Sequence, residues 1–396
     1  MVSEKAAELG SRSSVIRQLF EYGKKRKQEI GEENVFDFSI GNPSVPAPPA
    51  VAQTLIRLLS GDDPDIHCYT SAAGDPAVRQ AIADYLNRTY GASESPGRIY
   101  LTAGAAAALS ITLGALVCPG DEVILMAPFF PEYRVFAEHA GAQVRIAPPS
   151  PDFQIDFSAL ESLISDKTKA LIINSPSNPS GAILTEETLT RLGGLLDEKE
   201  AEYGHPIYVI SDEPYRELVY DGQKTPYTAA FCKNTVSCYS FSKSLSLPGE
   251  RIGYICVCSG CADGDRLFCA VCGAGRALGY VCAPSLFQRM IPEVLGMTSD
   301  LSVYAGNRSL LYTGLTSLGF DAVYPDGAFY LFVKSPEPDE AAFCEKAKAH
   351  ELLLVPSGDF GMGGYVRVAY CVSEDLIRRA MPAFAALAAE YGLMGR

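Results

Sequence analysis

Short apolar segments alternate with helical segments between about residue 50 and residue 285, and this alternation restricts the fold more than any other feature. Because parallel neighbouring strands must be joined by crossover connections, usually helices, the pattern predicts a mainly parallel sheet with helices on both faces. The predicted strands are 98–102, 122–127, 143–147, 169–174, 207–211, 235–240 and 253–257. Helices are predicted between most of them, for example at 76–90, 105–117 and 186–203.

The two ends of the chain do not show this regular alternation of strands and helices. The predicted elements there are an amphipathic helix at 14–30, a short strand at 35–40, a proline-rich linker at 41–49, helices within 286–318, strands at 328–333 and 365–371, and a last helix at 374–391. We therefore expect a large α/β domain at 47–288 and a smaller α+β domain at 289–396. The N-terminal segment, 1–46, is expected to join the smaller domain.

The composition and the charge exclude several classes of partner. Lysine and arginine number 33 in the 396 residues, against 47 aspartates and glutamates, so the net charge is −14. Such a surface repels phosphate backbones, and we expect no nucleic-acid partner. The N-terminus lacks the apolar core of a secretory signal, and the most apolar segment, 105–117, is too short to span a bilayer. We therefore expect a cytoplasmic protein that does not bind a membrane.

The cysteines allow two interpretations. Twelve are present, and the pairs Cys258-x2-Cys261 and Cys269-x2-Cys272 resemble zinc ligands, so a structural or redox-active metal is one interpretation. The pairs lie close together, however, on a segment with the pattern of a strand, a turn and an apolar helix. Because no secretory signal is present, we interpret the cluster at 256–272 as reduced, buried thiols and expect no metal.

The segment 240–254 carries the strongest chemical signal. An apolar strand ends there in Ser240, Ser242 and Lys243, and Arg251 follows just before another strand. A lysine at a strand end, in apolar surroundings, can have a lowered pKa and form a Schiff base with an aldehyde. The two hydroxyls and the guanidinium can converge on a phosphate. On spacing alone, a surface loop with a solvated lysine explains the segment equally well.

This segment resembles the cofactor-lysine signature of class I/II pyridoxal-phosphate aminotransferases, the aspartate aminotransferase superfamily, and further motifs extend the resemblance over nearly the whole chain. The resemblance implies fold type I, an α/β fold with a mainly parallel seven-stranded sheet between helices and a smaller α+β domain. It also implies pyridoxal 5′-phosphate as the cofactor, held as a Schiff base on Lys243.

Two further motifs resemble the family's contacts with the cofactor ring. Asp212 resembles the carboxylate that pairs with the pyridine nitrogen, and Tyr215 resembles the tyrosine that binds the phenolic oxygen. A carboxylate beside that nitrogen keeps it protonated, so that the ring accepts electrons from the substrate's α-carbon. Asn178 resembles the amide that donates to the same phenolic oxygen. Read alone, Asp212 fits a helix cap and Asn178 fits a turn.

The resemblance also implies how the phosphate and the ring face are bound. Gly104, Ala105 and Ala106 join a strand to a helix whose N-terminus suits a phosphate. Relatives often carry a hydroxyl or a lysine where the two alanines stand, so more of the binding is expected from Ser240, Ser242 and Arg251. Phe130 resembles the aromatic ring that stacks on the cofactor, although a phenylalanine in such a loop is more often a core residue.

Substrate and subunit contacts are implied by four more residues. Arg367 lies in an apolar strand and needs a carboxylate partner; by resemblance it binds the substrate's α-carboxylate near Gly41 and Asn178, and an internal salt bridge is the alternative. Arg276 lies near the second arginine of aspartate-specific relatives, which comes from the partner subunit; a surface arginine is the alternative. Tyr69 resembles a tyrosine that reaches the other subunit's phosphate, so a homodimer with shared active sites is implied.

The resemblance therefore implies a ping-pong transaminase that moves an amino group from an L-amino acid to a 2-oxo acid, with aspartate and 2-oxoglutarate as candidate substrates. Lys243, Asp212 and Tyr215 are its expected catalytic residues. A carbon–sulfur β-lyase, or another α-carbon lyase, uses the same cofactor and motifs and is the alternative. A regulatory protein on a retired enzyme fold is disfavoured, because Lys243 is retained and no helix-turn-helix precedes the cofactor domain.

Overall fold

The computed structural model describes residues 2–11 and 14–393, which contain fourteen α-helices and thirteen strands. The helices are α1 (Glu4–Ser11), α2 (Val15–Ile30), α3 (Pro49–Ser60), α4 (Pro76–Tyr90), α5 (Gly104–Leu116), α6 (Glu132–His139), α7 (Phe157–Leu163), α8 (Glu186–Tyr203), α9 (Phe241–Ser244), α10 (Gly264–Ala277), α11 (Ser285–Val294), α12 (Leu301–Ser317), α13 (Glu340–Ala349) and α14 (Glu374–Glu390). The strands are β1 (Phe36–Asp37), β2 (Ile99–Thr102), β3 (Glu122–Met126), β4 (Gln143–Ala147), β5 (Thr168–Asn174), β6 (Tyr208–Asp212), β7 (Thr235–Ser240), β8 (Gly253–Val257), β9 (Ala322–Val323), β10 (Tyr330–Lys334), β11 (Leu352–Leu353), β12 (Val355–Pro356) and β13 (Tyr365–Ala369).

A seven-stranded sheet forms the centre of the large domain, in the order β2-β8-β7-β6-β5-β3-β4. β8 runs antiparallel to both of its neighbours, and the other pairs are parallel. Every residue of β6, β7 and β8 is buried, as expected for strands that are covered on both faces. The predicted mainly parallel seven-stranded sheet is confirmed.

Helices cover both faces of this sheet. On one face α5, α6 and α10 pack against side chains such as Val236 and Ile255. On the other face α4 and α11 cover the β2–β8 side, and α8 covers the β5–β6 side. α5 is rich in glycine and alanine, so its backbone can approach the strands closely, and most of its residues are buried. The large domain therefore has the three layers that the alternation predicts.

The smaller domain is built on a four-stranded antiparallel sheet in the order β12-β13-β10-β9. α12, α13 and α14 pack around it, in one apolar cluster that also contains Phe38 of the N-terminal segment. β1 pairs in parallel with β11. The predicted boundary between residues 288 and 289 falls inside α11, whose Met290, Ile291 and Val294 pack with the large domain.

The predicted strand at 35–40 is shorter than expected, because only Phe36 and Asp37 form a regular ladder. Beyond them the chain changes partner: Phe38 donates its N–H to Leu353 of β11, while its carbonyl accepts from Ala369 of β13. The segment therefore crosses between two sheets of the smaller domain and does not extend along either of them. This crossing brings Ser39, Ile40 and Gly41 towards the carboxyl ends of the large sheet.

The prediction that the whole cysteine cluster is buried is wrong in part. Cys256, Cys258 and Cys261 are buried, whereas Cys269 is exposed and Cys272 is half-buried. The reason is helical periodicity, because Cys269 lies on the outer face of α10 while Leu267 and Val271 point inward. In the part of the chain that the structure describes, no helix has the length and apolar character to cross a bilayer.

Candidate active site

A cavity of about 270 Å³ lies where β5, β6 and β7 end. Parallel strands bring their carboxyl ends to one edge of a sheet, where ligands bind in open α/β folds. Asn174 pairs with Asp212 across β5 and β6, and Ser240 ends the adjacent β7. The predicted site residues that line the cavity are Gly41, Ala105, Ala106, Phe130, Asn178, Asp212, Tyr215, Ser240, Ser242, Lys243, Arg251 and Arg367.

Asp212 is a buried carboxylate with one oxygen free. Its Oδ2 accepts a hydrogen bond of 2.5 Å from the hydroxyl of Tyr133, whereas its Oδ1 is buried without a partner among the described residues. Burial raises the pKa of Asp212 to about 7, although the Tyr133 hydrogen bond and the Lys243 charge oppose this shift. An unpartnered buried oxygen of this kind is costly unless a ligand donates to it. The alternative role of Asp212 as a helix cap is not observed, since no α-helix follows it directly.

Lys243 lies on α9, a single turn that begins directly after β7. Its Nζ donates to the carbonyl of Gly41 at 2.7 Å and lies 5.5 Å from the ring centroid of Phe329. Burial, together with the charges of Arg367 and Arg251, lowers the pKa of Lys243 to about 8. A larger neutral fraction makes the amine a better nucleophile. The solvated surface lysine, which spacing alone left open, is therefore not observed.

Arg367 is 2% exposed and forms no salt bridge with any residue in the described ranges. Its Nη1 donates to Oδ1 of Asn178 at 3.0 Å, and its Nη2 donates to the carbonyl of Ser39 at 2.6 Å. The guanidinium also lies over the ring of Tyr330, 4.7 Å from the centroid. The internal salt bridge is thus not observed, and a buried cation faces the cavity without an anion, although such charges are normally paired.

Tyr215 and the turn after β5 form another part of the cavity wall. The hydroxyl of Tyr215 lies 2.9 Å from that of Tyr330, so the large domain and the smaller domain share a hydrogen bond at the cavity. Asn174 orders the turn, because its side chain donates to the carbonyl of Asp212 and accepts from the N–H of Asn178. Asn178 therefore lies in a turn and also lines the cavity, so it can be both a turn residue and an amide that binds the cofactor.

A group of hydrogen-bond donors lies at the N-terminus of α5. No side chain caps this helix, so its first N–H groups are free to bind a ligand. Arg251 donates to the carbonyl of Pro248 at 2.8 Å, and its Nη2 approaches the helix start so closely that a Cβ on Gly104 would lie only 2.7 Å away. Ser240 and Ser242 are within reach of each other, with 2.6 Å between their hydroxyl oxygens.

The model of the family "Aminotransferase class I and II" matches residues 33–384. The chain belongs to this family. Its match spans both domains, and the cavity above lies between the residues that the two domains contribute. As a class I and II aminotransferase, the enzyme transfers an amino group from an L-amino acid to a 2-oxo acid.

Relatives and solved structures agree with this family. The aspartate/prephenate aminotransferase of Thermus thermophilus is 30% identical over 366 residues, which are 87% of this chain and 89% of that protein. An amino transferase structure from Eubacterium rectale is 53% identical, covers 99% of each chain and has a TM-score of 0.97. Aspartate aminotransferase from Thermus thermophilus with maleate is 28% identical, covers 98% of this chain and 100% of its own, and has a TM-score of 0.86.

Three predicted residues do not line the cavity of this aminotransferase chain. Gly104 lies beside it, next to Arg251. Tyr69 is 96% exposed, and Arg276 is exposed in the last turn of α10. A single chain therefore does not bring Tyr69 and Arg276 to its own cavity, and their roles stay predictions that require a second subunit.

Sequence reasoning missed several residues of the site. Tyr133, Tyr330 and the carbonyl of Ser39 contact Asp212, Tyr215 and Arg367 respectively. Of these, Tyr133 could have been found, because it ends the same Pro128–Tyr133 motif that contains Phe130, and the two rings pack edge to face at 5.7 Å. Tyr330 and Ser39 carried no signal, since long-range packing alone brings them to the cavity.

A second cavity, of about 730 Å³, adjoins the first, and both are lined by Ile16 and Phe130. Its walls are mostly apolar and include Phe20 of α2 and Phe360. The predicted amphipathic helix at 14–30 therefore also contributes to the active site, because its Ile16 lines both cavities.

Proposed function

We propose that the enzyme is a pyridoxal-phosphate-dependent transaminase whose cofactor is bonded to Nζ of Lys243. The free Oδ1 of buried Asp212 carries this proposal, because it needs a hydrogen-bond donor such as a protonated pyridine nitrogen. The uncapped start of α5, with Arg251, Ser240 and Ser242, offers the donors that a phosphate requires. Gly104 leaves the space that the guanidinium of Arg251 occupies.

When bound, the cofactor supplies an electron sink for the bonds at the substrate's α-carbon. The chain's own residues bind the substrate and move the protons. Arg367 binds the α-carboxylate as a bidentate pair, aided by Asn178, which already contacts its Nη1. The amine of Lys243, with a pKa of about 8, accepts and returns a proton near neutral pH. The hydroxyl of Tyr215, which is held by Tyr330, would donate a hydrogen bond to the phenolic oxygen of the cofactor.

Aspartate is the proposed amino donor, because relatives from Thermus thermophilus and Thermotoga maritima are named aspartate/prephenate aminotransferase and aspartate aminotransferase. A 2-oxo acid such as 2-oxoglutarate is the proposed acceptor. The substrate's side-chain carboxylate is proposed to extend into the adjoining cavity of about 730 Å³, whose lining includes the cationic side chain of Arg17. The lyase alternative uses the same lysine, and no described contact favours it. Amino transfer that requires a 2-oxo acid, with no pyruvate and ammonia released from cystathionine, distinguishes the two reactions.

Borohydride trapping tests the lysine directly. Purified enzyme is incubated with pyridoxal phosphate, reduced and digested, and the modified peptide is identified by mass spectrometry. We expect a pyridoxyl group on Lys243, no such group in Lys243→Ala, and an unchanged result in Lys233→Ala, an exposed lysine paired with Asp197. A label on another lysine, or none, contradicts the proposal.

We also propose a homodimer with shared active sites. Exposed apolar side chains cluster around Tyr69 and the 278–281 segment, and Cys282 links the two by donating to the carbonyl of Thr70. In a dimer with shared sites, a mixture of Tyr69→Ala and Lys243→Ala subunits regains one intact site per mixed dimer. Recovery of about a quarter of the wild-type activity on mixing is therefore expected, and no recovery argues against shared sites.

A further inference from the structure

Three side chains with metal-binding atoms meet inside the large domain, away from the active-site cavity. The carboxylate of Glu94 and the thiols of Cys256 and Cys258 lie within 4.8 Å of one another, and all three residues are buried. None of the three lines the active-site cavity. They are not the paired Cys-x2-Cys ligands of the sequence pattern, since Cys269 and Cys272 lie on α10 and only Cys258 is shared.

The backbone holds these side chains in fixed positions. Cys256 lies in β8, where it is paired with Ser237 and Ile99 on either side, and Cys258 follows two residues later on the same face. The N–H and the carbonyl of Glu94 are both bound by the side chain of Asn87 on α4. One ligand in a central strand, one directly after it and one in a loop fixed by Asn87 form a rigid set of donors, as a structural metal site requires.

A fourth donor is Tyr227, whose hydroxyl lies 3.1 Å from Oε1 of Glu94 and 3.6 Å from Sγ of Cys258. Sγ of Cys256 lies 3.7 Å from Oε2 of Glu94. In a tetrahedral zinc site, bond lengths of about 2.3 Å to sulfur and about 2.0 Å to oxygen give edges of about 3.5 Å between sulfur and oxygen and about 3.3 Å between two oxygens. The two sulfur–oxygen separations, from Cys256 to Oε2 of Glu94 and from Cys258 to Tyr227, agree with the first of these edges within a few tenths of an ångström. Oε1 of Glu94 is the other carboxylate oxygen, and it accepts a hydrogen bond from Tyr227.

We propose that Glu94, Cys256 and Cys258 bind a divalent metal ion of the zinc type, with the hydroxyl of Tyr227 as the fourth donor. On binding, each thiol gives up its proton and Tyr227 remains a neutral phenol, so two protons are released for each ion. Without an ion, the contact with Cys258 and burial raise the pKa of the Cys256 thiol.

The proposed ion has a structural role, because it joins three parts of the large domain. Glu94 follows α4, Cys256 lies in β8 with Cys258 directly after it, and Tyr227 precedes the turn that leads to β7. Ser237 lies between the cluster and the site, since its hydroxyl is 3.7 Å from Sγ of Cys258 and donates to Glu213, the neighbour of Asp212, at 3.1 Å. The ion thus stabilises the strands that carry the active site and touches neither substrate nor cofactor.

Metal analysis of the complete enzyme tests the proposal. The protein is produced in zinc-supplemented cells, washed with a chelator at neutral pH and analysed by mass spectrometry of the elements. We expect about one zinc ion per chain, retained through the wash because the site is buried. Production in cobalt-containing medium is expected to give the ligand-field bands of tetrahedral cobalt at wavelengths longer than cofactor absorption.

Two variants locate the ion. Cys258→Ser and Glu94→Gln are expected to lose it, whereas Cys232→Ser retains it, because Cys232 is equally buried but contacts the carbonyl of Leu189 on α8. If the variants do not fold, the metal content and cobalt spectrum of the wild type decide alone. Wild-type enzyme with less than roughly a tenth of an ion per chain, or a Cys258→Ser enzyme with the full content, shows a cluster held by hydrogen bonds only and overturns the proposal.

Discussion

The hydroxyl of Tyr133 donates a hydrogen bond of 2.5 Å to Oδ2 of Asp212 and leaves Oδ1 of that carboxylate free. Tyr133 lies at the start of α6, and both residues are buried. The hydrogen bond fixes which oxygen faces the cavity. It also lowers the pKa of Asp212, against the burial that raises it to about 7. Tyr133 therefore orients the carboxyl group of Asp212 and opposes the burial that favours its neutral form.

The first prediction is that Tyr133→Phe weakens cofactor binding. A hydrogen bond to a charged group is worth about 1.5–3 kcal/mol, so we expect pyridoxal phosphate to bind about ten- to a hundredfold more weakly. Equilibrium dialysis of the cofactor against apoenzyme measures the change. Tyr203→Phe is the control, because its hydroxyl donates at 3.4 Å to the carbonyl of Ile164 outside the cavity. Equal affinities for wild type and Tyr133→Phe would exclude this role of the tyrosine.

The sequence predicts the part of the site that the sheet itself builds. Asp212 and Ser240 are the last residues of β6 and β7, and parallel strands bring such residues to one edge. Their convergence therefore follows from the alternation of strands and helices. The phosphate-binding start of α5 is predictable for the same reason, since this helix directly follows the short loop after β2.

The remainder of the site depends on how the two domains pack. Ser39 reaches Arg367 because residues 38–40 cross between β11 and β13, a path that no local pattern encodes. Tyr330 reaches Tyr215 because β10 of the smaller domain faces the large sheet. Nor could the sequence show that Arg367 has no acidic partner within the described ranges, because that is a property of all the surrounding side chains at once.

The second prediction concerns the pH dependence of apoenzyme stability. The pKa of Asp212 is raised from 3.8 to about 7, so the folded state binds an extra proton between these values. The stabilisation is fully present below pH 3.8 and is lost as the pH rises through about 7. Wild-type apoenzyme is therefore expected to lose stability relative to Asp212→Asn as the pH rises from about 4 to about 7. Urea unfolding at several pH values measures this, and parallel curves for the two proteins would exclude it.

Lys243 is expected to change the stability of the apoenzyme in the opposite direction, and at higher pH. Its pKa is lowered from 10.5 to about 8, so the unfolded chain binds more protons between these values. Stability is expected to rise with pH from about 8 to above 10 in wild-type apoenzyme, relative to Lys243→Met. If the two proteins respond alike in that range, the amine is not held in the buried environment described here.

The third prediction contrasts two buried arginines. Arg216 forms a 2.5 Å salt bridge with buried Glu213, whereas Arg367 has no acidic partner within the described ranges. Arg216→Met strands a buried carboxylate and is expected to lower the free energy of unfolding by about 3–5 kcal/mol. Arg367→Met removes an unpaired charge and leaves two neutral oxygens, Oδ1 of Asn178 and the carbonyl of Ser39, without their donor. It is therefore expected to lower the free energy of unfolding by only about 1–3 kcal/mol.

For the folded protein, Arg367→Met is expected to lower the catalytic activity more than Arg216→Met does, although it lowers the stability less. Loss of one member of a buried charge pair with the substrate costs about 2–5 kcal/mol, so Arg367→Met lowers kcat/KM about thirty- to several-thousandfold for both amino donor and 2-oxo acid. Steady-state kinetics with each substrate, together with urea unfolding of both variants, provide the measurements. Normal kinetics in Arg367→Met would remove this residue from the substrate site.

The fourth prediction uses two glycines of α5. Gly104 has a φ of +80°, and a Cβ there would lie 2.7 Å from Nη2 of Arg251. Gly104→Ala is therefore expected to lower the free energy of unfolding by about 1–2 kcal/mol through backbone strain, and to weaken cofactor binding because the guanidinium must move. Gly114 is exposed in the same helix, and a Cβ there would meet Ala274 only at 3.6 Å. Gly114→Ala is expected to raise the free energy of unfolding by about 0.5–1 kcal/mol and to leave cofactor affinity unchanged. If both alanine variants behave alike in urea unfolding and in cofactor titration, then the approach of Arg251 to the start of α5 does not contribute to the phosphate site.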